Sequence, residues 1–569
     1  MGQLGRLERA ASLQLMSRQG VDVLVVGGGI TGAGVALEAA LRGYRVGLVE
    51  KADFASGTSS RSTKLVHGGL RYLAQFDLGL THEALVERDI LIKNAPFLVS
   101  PIGFVLPVYR GGRRPLNLPV APPFGFGLRY MLGAGLLLYD LLAGSLRARR
   151  HKRIGAPRAM RLVPCLRGNG LLDAFVYYDA QTDDARLTIT VIRTAAKHGA
   201  LVANHAEVTG FEQNHGRITA ARVYDHLSGN TLTINARIVV NATGVFAARV
   251  EELAGPSMLR IRPAKGVHLT VSREALKMTR HAVVLPETED GRLLFVVPWG
   301  ARVTVGTTDT EGGDIDHPRA EAEDVRYLLR HIHRYMRCQL KESDIISVWA
   351  GYRPLVSSLD SKVRSSQLSR THAVLDGPGG MVSIVGGKLT TYRRMAQDTM
   401  DHVDSKLRGS RGSMQRPRSV QLTSRSLRLE GAESWKEALE QVRLEAPCMG
   451  LSADTVHRLK LYGSACKVIL DLVRQEPQLA ARIVPDLPYI MAEVVYACRY
   501  EMAVQLSDVL DRRLRISIED RAHGTVAATR VAECMARELG WSASYTAGQV
   551  AAYIDFANSL SVRSVMANG

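Results

Sequence analysis

The sequence predicts an α/β protein with an antiparallel β domain and an α-helical C-terminal domain, on three observations. A β-rich apolar run, Val21–Val26, feeds a glycine turn, Gly27–Gly34, and then VALEAALRG with helical spacing. A second strand-like run, Ala236–Val240, enters Asn241-Ala-Thr-Gly244 about two hundred residues later. Past residue 415 apolar residues recur every three or four positions, as in MAEVVYACRYEMAVQLSDVL. The first two features mark a Rossmann-like nucleotide fold and the third a helical tail.

Length and charge bound the rest. At about 100–200 residues per domain, 569 residues make several domains. Hydrophobic residues make up 46%, which excludes disorder as the main state. Lys and Arg number 73 against 55 Asp and Glu, a net +18. That excess fits nucleic acid, an anionic membrane surface or a phosphorylated substrate, and charge alone does not choose among them.

In chain order, residues 1–20 carry Arg6, Arg9 and Arg18 with one acid, Glu8, and lack the apolar block of a signal peptide. They read as a frayed or surface-lying extension, with an organelle-targeting segment as the other reading. Gly27, Gly29 and Gly32 then satisfy G-x-G-x-x-G between a strand and a helix. The first glycine permits the tight turn, the second lets backbone approach a pyrophosphate, and the third lets helix pack on strand. Tyr44–Val49 is a second strand ending at Glu50, 18 positions after Gly32, where an acid accepts a ribose hydroxyl. Because the Asn241-Ala-Thr-Gly244 turn lies so far along the chain, the nucleotide domain is assembled from discontinuous segments. That favours FAD over a self-contained NAD module.

The apolar stretch from Tyr130, YMLGAGLLLY, stops at Asp140, short of the ~20 residues needed to span a bilayer. Arg147, Arg149, Arg150, Lys152 and Arg153 follow. Two readings stay open: a segment lying on anionic lipid, or a core helix with a solvated basic end. The six cysteines show no CxxC pair and no Cys/His cluster, so neither a disulfide framework nor a metal site is expected, and a reducing compartment suits them.

The assignments are 21–100, 156–255 and 346–405 to the nucleotide domain and 256–345, with strands such as LLFVVPWGARVTVGTT, to a substrate domain. Residues 101–155 form a basic, apolar insertion and 415–569 the helical domain.

Further motifs follow in order: SSRSTKLVHGGLRYL (59–73), APFLV (95–99), NATGVFAA (241–248), KGVHLTV (265–271), GTTDT (306–310), GYRPL (351–355), SRTHAV (369–374) and GGKLTTYR (386–393). With these the sequence resembles the FAD-dependent, respiratory aerobic-type glycerol-3-phosphate dehydrogenases over about residues 21–400, and more loosely beyond. Phe246 stands where that family often has Trp. The resemblance implies a two-dinucleotide FAD fold like those of glutathione reductase and D-amino-acid oxidase. It also implies oxidation of glycerol 3-phosphate to dihydroxyacetone phosphate, with hydride transfer to FAD and electrons passed to membrane quinone. An oxidase forming peroxide from O2 is the alternative.

By the same resemblance, Arg71, Tyr72, Thr308 and Lys388 hold the phosphate, while Arg353, Arg370 and His268 face the hydroxyl-bearing carbons. An arginine fork suits a phosphate dianion well. Removing the hydroxyl proton needs a base. His268 is a candidate, as base or as orienter, with Arg353 or Lys388 as the alternative base. Asp309 either orders Arg353 or His268 or is a simple turn carboxylate. Thr58, Ser59, Ser62, Lys64, Leu65, His67 and Gly68 lie along the cofactor's pyrophosphate and flavin, though His67 reads equally well as a packing residue. Val208 meets the adenine, Ala242, Thr243 and Gly244 close the nucleotide end, and Gly387, Leu389 and Thr390 complete the cofactor set. The implied location is cytoplasmic, peripherally on the inner face of the cell membrane, with a homodimer left open. A nucleic-acid partner falls away, since no RNP-like or helix-turn-helix signature accompanies the charge.

Overall fold

The structure, a computed structural model, describes residues 2–70, 73, 77–110, 127–143, 150–356, 371–409 and 423–567. Arg71, Tyr72, Arg147, Arg149 and Arg370, singled out above, lie outside them.

Strand Val21–Val26 pairs in parallel with Val46–Val49 on one side and Thr231–Asn241 on the other, and the latter pairs in parallel with Val382–Val385. Leu201–Ala203 continues the eight-stranded sheet beyond Val46–Val49. Parallel strands are covered on both faces, which is why these runs are continuously apolar instead of alternating. Helices Ile30–Leu41, Asp184–Lys197 and Tyr392–Gly409 share the buried cluster over this sheet. The nucleotide fold is thus built from stretches far apart in the chain.

A second sheet of ten strands carries two long antiparallel pairs. Ile261–Ser272 lies against Ile345–Val356, setting Ala264 opposite Arg353 and His268 opposite Trp349. Ser100–Tyr109 lies against Leu171–Gln181, which also pairs with Lys152–Gly155 and with Leu65–Val66. Ser100–Tyr109 and Ile345–Val356 cross the boundaries at 101 and 346, and the pairing of Lys152–Gly155 with Leu171–Gln181 joins the two sides of 156. Period-2 alternation shows that a run is a strand but not which sheet takes it.

Residues Arg6–Gln19 form a helix packed on the first sheet, correcting the expectation of a frayed or surface-lying extension. Leu13 and Met16 are buried beside Val21 and Val239, each contributing about 1.5–3 kcal/mol. Arg9, 2% exposed, donates to the Asn204 carbonyl at 2.8 Å and pairs with Asp225, 216 residues away. Partners so distant leave no local sign in the sequence.

The Leu-rich stretch is helix Leu128–Leu142. Leu132, Leu136 and Tyr139 enter a core with Phe104 and Phe175, while Tyr130, Leu137 and Leu141 are 70%, 52% and 56% exposed. Among the described residues no helix is long and apolar enough to cross a membrane.

The expectation of unpaired thiols fails for one pair. Cys165 and Cys338, 173 residues apart with Cα atoms 5.6 Å from each other, form a disulfide, while Cys448, Cys466, Cys498 and Cys534 are free. The bridge lies beside a β-bridge between Leu166 and Met336. The fold, not sequence spacing, brings the two sulfurs together.

Helices Trp435–Glu445, Cys466–Gln475, Met491–Tyr500, Ala528–Leu539 and Ala543–Asn558 enclose one C-terminal core running from Ala438 to Ala557. This domain docks through buried ions. Arg186 forks onto Glu501 at 2.6 and 3.2 Å, and Arg512 and Arg513 from the π-helical turn Asp508–Arg513 both pair with Asp53. Desolvating such ions costs several kcal/mol each, and their mutual attraction and hydrogen bonds offset it.

Candidate active site

The glycine turn is as tight as its spacing demands. Gly27 has φ +110°, and a Cβ on Gly32 would stand 1.9 Å from the Gly27 carbonyl oxygen. Gly29 caps helix Ile30–Leu41 without a side chain, and the Ile30 N–H donates to Ser59 Oγ at 2.9 Å. Helix amides and backbone unobstructed by Cβ atoms fit a dinucleotide pyrophosphate. Glu50 accepts from the Gly28 and Ala52 N–H groups at 2.6 and 2.9 Å. Burial pushes its carboxyl up against the pull of those amides. The Glu50 carbonyl accepts from Ala206 N at 2.8 Å, which puts Val208 two residues along the adjoining strand. Asn241 binds the Thr243 hydroxyl at 2.6 Å and the Ala247 carbonyl at 2.8 Å, fixing the Ala242–Gly244 turn.

The segment from Thr58 to Gly68 crosses from this turn to the second sheet. Thr58 Oγ1 donates to the Tyr352 carbonyl at 2.6 Å, and Ser62 donates twice to Asp184, from N at 2.9 Å and Oγ at 2.8 Å. The Lys64 ammonium is wholly buried on Asp184, at 3.0 Å. Leu65 begins a short strand, the His67 N–H donates to Thr390 Oγ1 at 3.2 Å, and the Gly68 N–H donates to Asp179 at 3.2 Å. Gly387 has φ +81° and precedes Lys388, the half-buried cap of the turn Leu389–Thr391.

These elements meet at a cavity whose wall includes Leu65, His67, Arg292, Thr308, Asp309 and Arg353. Arg353 donates to Asp309 Oδ1 at 3.2 Å, Thr307 Oγ1 at 3.1 Å and the Thr308 carbonyl at 3.2 Å. Thr308 Oγ1 accepts the Val267 N–H at 3.0 Å, so its hydroxyl proton is available to donate elsewhere. His268 and Lys388 do not stand on this wall. His268 is buried behind Gly306, its Nε2 is 3.0 Å from Thr63 Oγ1, and its ring stacks on Trp349. Burial first, then the charges of Lys64 and Arg353, hold its pKa well below the ordinary 6.5.

Sequence reasoning missed Arg292, which carries no motif, and the buried acids Asp179 and Asp184. Asp179 accepts from Arg88, Tyr139 and Gly68 together. The two acids in the largely apolar strand LLDAFVYYDAQ, Asp173 and Asp179, are a legible sign of cationic partners, and they pair with Arg153 and Arg88.

Comparison with known proteins agrees with this geometry. Residues 22–393 match the family described as FAD dependent oxidoreductase, and 422–546 match the C-terminal domain of alpha-glycerophosphate oxidase. Glycerol-3-phosphate dehydrogenase of Mycobacterium leprae is 37% identical over 97% of this chain and 90% of its own. The mitochondrial glycerol-3-phosphate dehydrogenase of Rattus norvegicus is 34% identical over 93% of this chain and 72% of its own. The FAD-complexed glycerol-3-phosphate dehydrogenase of Bacillus halodurans superposes with a TM-score of 0.78, at 29% identity and 98% of both chains. An FAD-bound L-alpha-glycerophosphate oxidase from Mycoplasma pneumoniae, 17% identical with a TM-score of 0.52, shares the fold over 68% of this chain and 94% of its own. The cofactor is FAD. The chain belongs to the FAD-dependent oxidoreductases and, within them, to the glycerol-3-phosphate dehydrogenases.

Proposed function

We propose that the protein oxidises sn-glycerol 3-phosphate to dihydroxyacetone phosphate and delivers the electrons to membrane quinone. The observation that carries this reading is the pairing of Arg292 and Arg353 on one small cavity with the donor hydroxyl of Thr308. Two guanidinium groups and a hydroxyl suit a phosphorylated alcohol and offer little to an amine. Bound FAD supplies the acceptor for the carbinol hydride. Arg353 is paired with Asp309, and a guanidinium is a donor without acceptor capacity, so Arg353 is assigned to hold the substrate oxygen as its proton leaves, not to remove that proton. The neutral His268 imidazole is assigned as the proton acceptor, with the Thr63 hydroxyl beside its Nε2. Arg71, Tyr72 and Lys388 are assigned to the phosphate and Arg370 to the hydroxyl-bearing end, as the family resemblance implies. Anaerobic titration of the yellow holoenzyme with glycerol 3-phosphate tests the reading: the flavin bleaches, and an unbleached spectrum refutes it.

The exposed stripe Tyr130, Met131, Leu137 and Leu141 supports delivery at a lipid surface, as peripheral association with the inner face of the cell membrane requires. His151 binds Asp140 of that helix at 2.7 Å, which brings the exposed Arg150 and Lys152 beside the stripe. Apolar side chains flanked by cations match an anionic headgroup layer, each cation contributing about 1 kcal/mol. With quinone as acceptor, aerobic turnover releases no stoichiometric peroxide; stoichiometric peroxide would make the protein an oxidase.

A further inference from the structure

The C-terminal domain reaches the chemistry without entering the cavity. Its Arg515, 2% exposed, donates through Nη2 to the Ser60 carbonyl at 2.5 Å and lies 3.4 Å from Asp184 Oδ1. Nη1 is held by the Asp511 carbonyl at 3.0 Å. Asp184, wholly buried, takes Lys64 Nζ at 3.0 Å on one oxygen and both Ser62 donors on the other. Arg515 and Asp184 therefore fix residues 60, 62 and 64 of one loop. Between the last two stands Thr63, in contact with His268. The Lys64 ammonium also sits 4.8 Å from the ring of Trp349, on which His268 stacks.

The backbone shows that this loop is held against its own preference. Lys64 has φ +60° and Arg515 φ +63°, both in the left-handed region that side chains with a Cβ avoid. Two non-glycine residues in that region, both bound to Asp184 and to the Ser60 carbonyl, persist because the surrounding bonds determine them.

We propose that Arg515 is a positioning residue for the oxidation: through Asp184 and the Ser60 carbonyl it fixes the Ser60–Lys64 loop, and with it the Thr63–His268 contact and the Leu65–His67 cavity wall. The helical domain then has a part in the reaction beyond stability. This inference rests on the assignment of alcohol oxidation to that cavity.

Arg515→Met leaves Asp184 with Lys64, so no buried carboxylate is stranded without a cation. Stopped-flow reduction of FAD-replete holoenzyme by glycerol 3-phosphate is the measurement. The expected result is a limiting reduction rate about 10–100-fold below the unsubstituted protein, the scale of a misplacement near 1 Å, with KM changed less than about threefold and partial recovery in Arg515→Lys. Ser347→Ala is the comparison, because Ser347 Oγ binds the Ile518 carbonyl at 2.9 Å in the same interface without touching the loop. It is expected to lower the melting temperature and leave the rate alone. A normal rate in FAD-replete Arg515→Met, or an equal loss in Ser347→Ala, overturns the proposal. If Arg515→Met does not retain FAD, Asp184→Asn takes its place under the same criteria. Failure of the unsubstituted protein to be reduced would instead sink the assigned reaction.

Discussion

His268 lies flat on Trp349, with ring centroids 4.3 Å apart and planes 10° apart, and among the described residues no hydrogen bond reaches its Nδ1. An imidazole so enclosed is neutral in the fold, while in the unfolded chain it protonates near 6.5. Below that pH the unfolded chain binds the extra proton, so stability falls with pH until the folded imidazole also titrates. His268→Gln should remove this slope. In urea unfolding, its stability loss between pH 7 and about pH 5 should be smaller than that of the unsubstituted protein by about 2 kcal/mol. Equal losses would mean the imidazole is charged in the fold.

Glu50 holds the Gly28 and Ala52 amides at the place where a ribose hydroxyl is expected. A hydrogen bond to a charged group contributes about 1.5–3 kcal/mol, which is about 10–100-fold in affinity. Glu50→Ala should lose FAD on gel filtration in proportion, and reconstitution should need correspondingly more free FAD. Undiminished FAD retention would refute the assignment.

The stripe on helix Leu128–Leu142 predicts lipid binding separable from turnover. Leu137→Ser with Leu141→Ser should reduce co-sedimentation with anionic vesicles while turnover with a soluble dye stays within about twofold, since both side chains are exposed. Unchanged co-sedimentation would remove the stripe from the membrane reading.

Cys165 and Cys338 give a direct thiol count. Denatured protein, never exposed to reductant, should show four free thiols, those of Cys448, Cys466, Cys498 and Cys534. Reduction should add two and lower stability by about 2–4 kcal/mol, as for disulfides generally. Six thiols at the outset would show the pair reduced.

Local grammar made the nucleotide fold legible. Gly27, Gly29, Gly32 and Glu50 stand close enough in sequence for strand, turn and acid to be read in one pass. Arg353 and Asp309 were legible only through their motifs, and the structure makes them an ion pair. What stayed hidden depends on pairing across long separations. Arg9 with Asp225, Asp184 with Lys64 and Arg515, and Cys165 with Cys338 each need the whole fold before either partner has meaning. The pairing of Ser100–Tyr109 with Leu171–Gln181 is hidden for the same reason, because strand neighbours are set by tertiary structure.

Strand Val21–Val26 waits for Thr231–Asn241, which in turn waits for Val382–Val385. During synthesis the glycine turn leaves the ribosome early, yet its sheet cannot be completed until residue 385 has emerged, and the Arg515 contacts come later still. The nascent chain therefore carries unpaired apolar strand edges through most of its translation, the condition in which aggregation competes with folding. Flavin capture becomes a late event, so the yield of active enzyme in a cell should depend on chaperone capacity while the chain is being made and on the free FAD it meets once residue 385 has emerged.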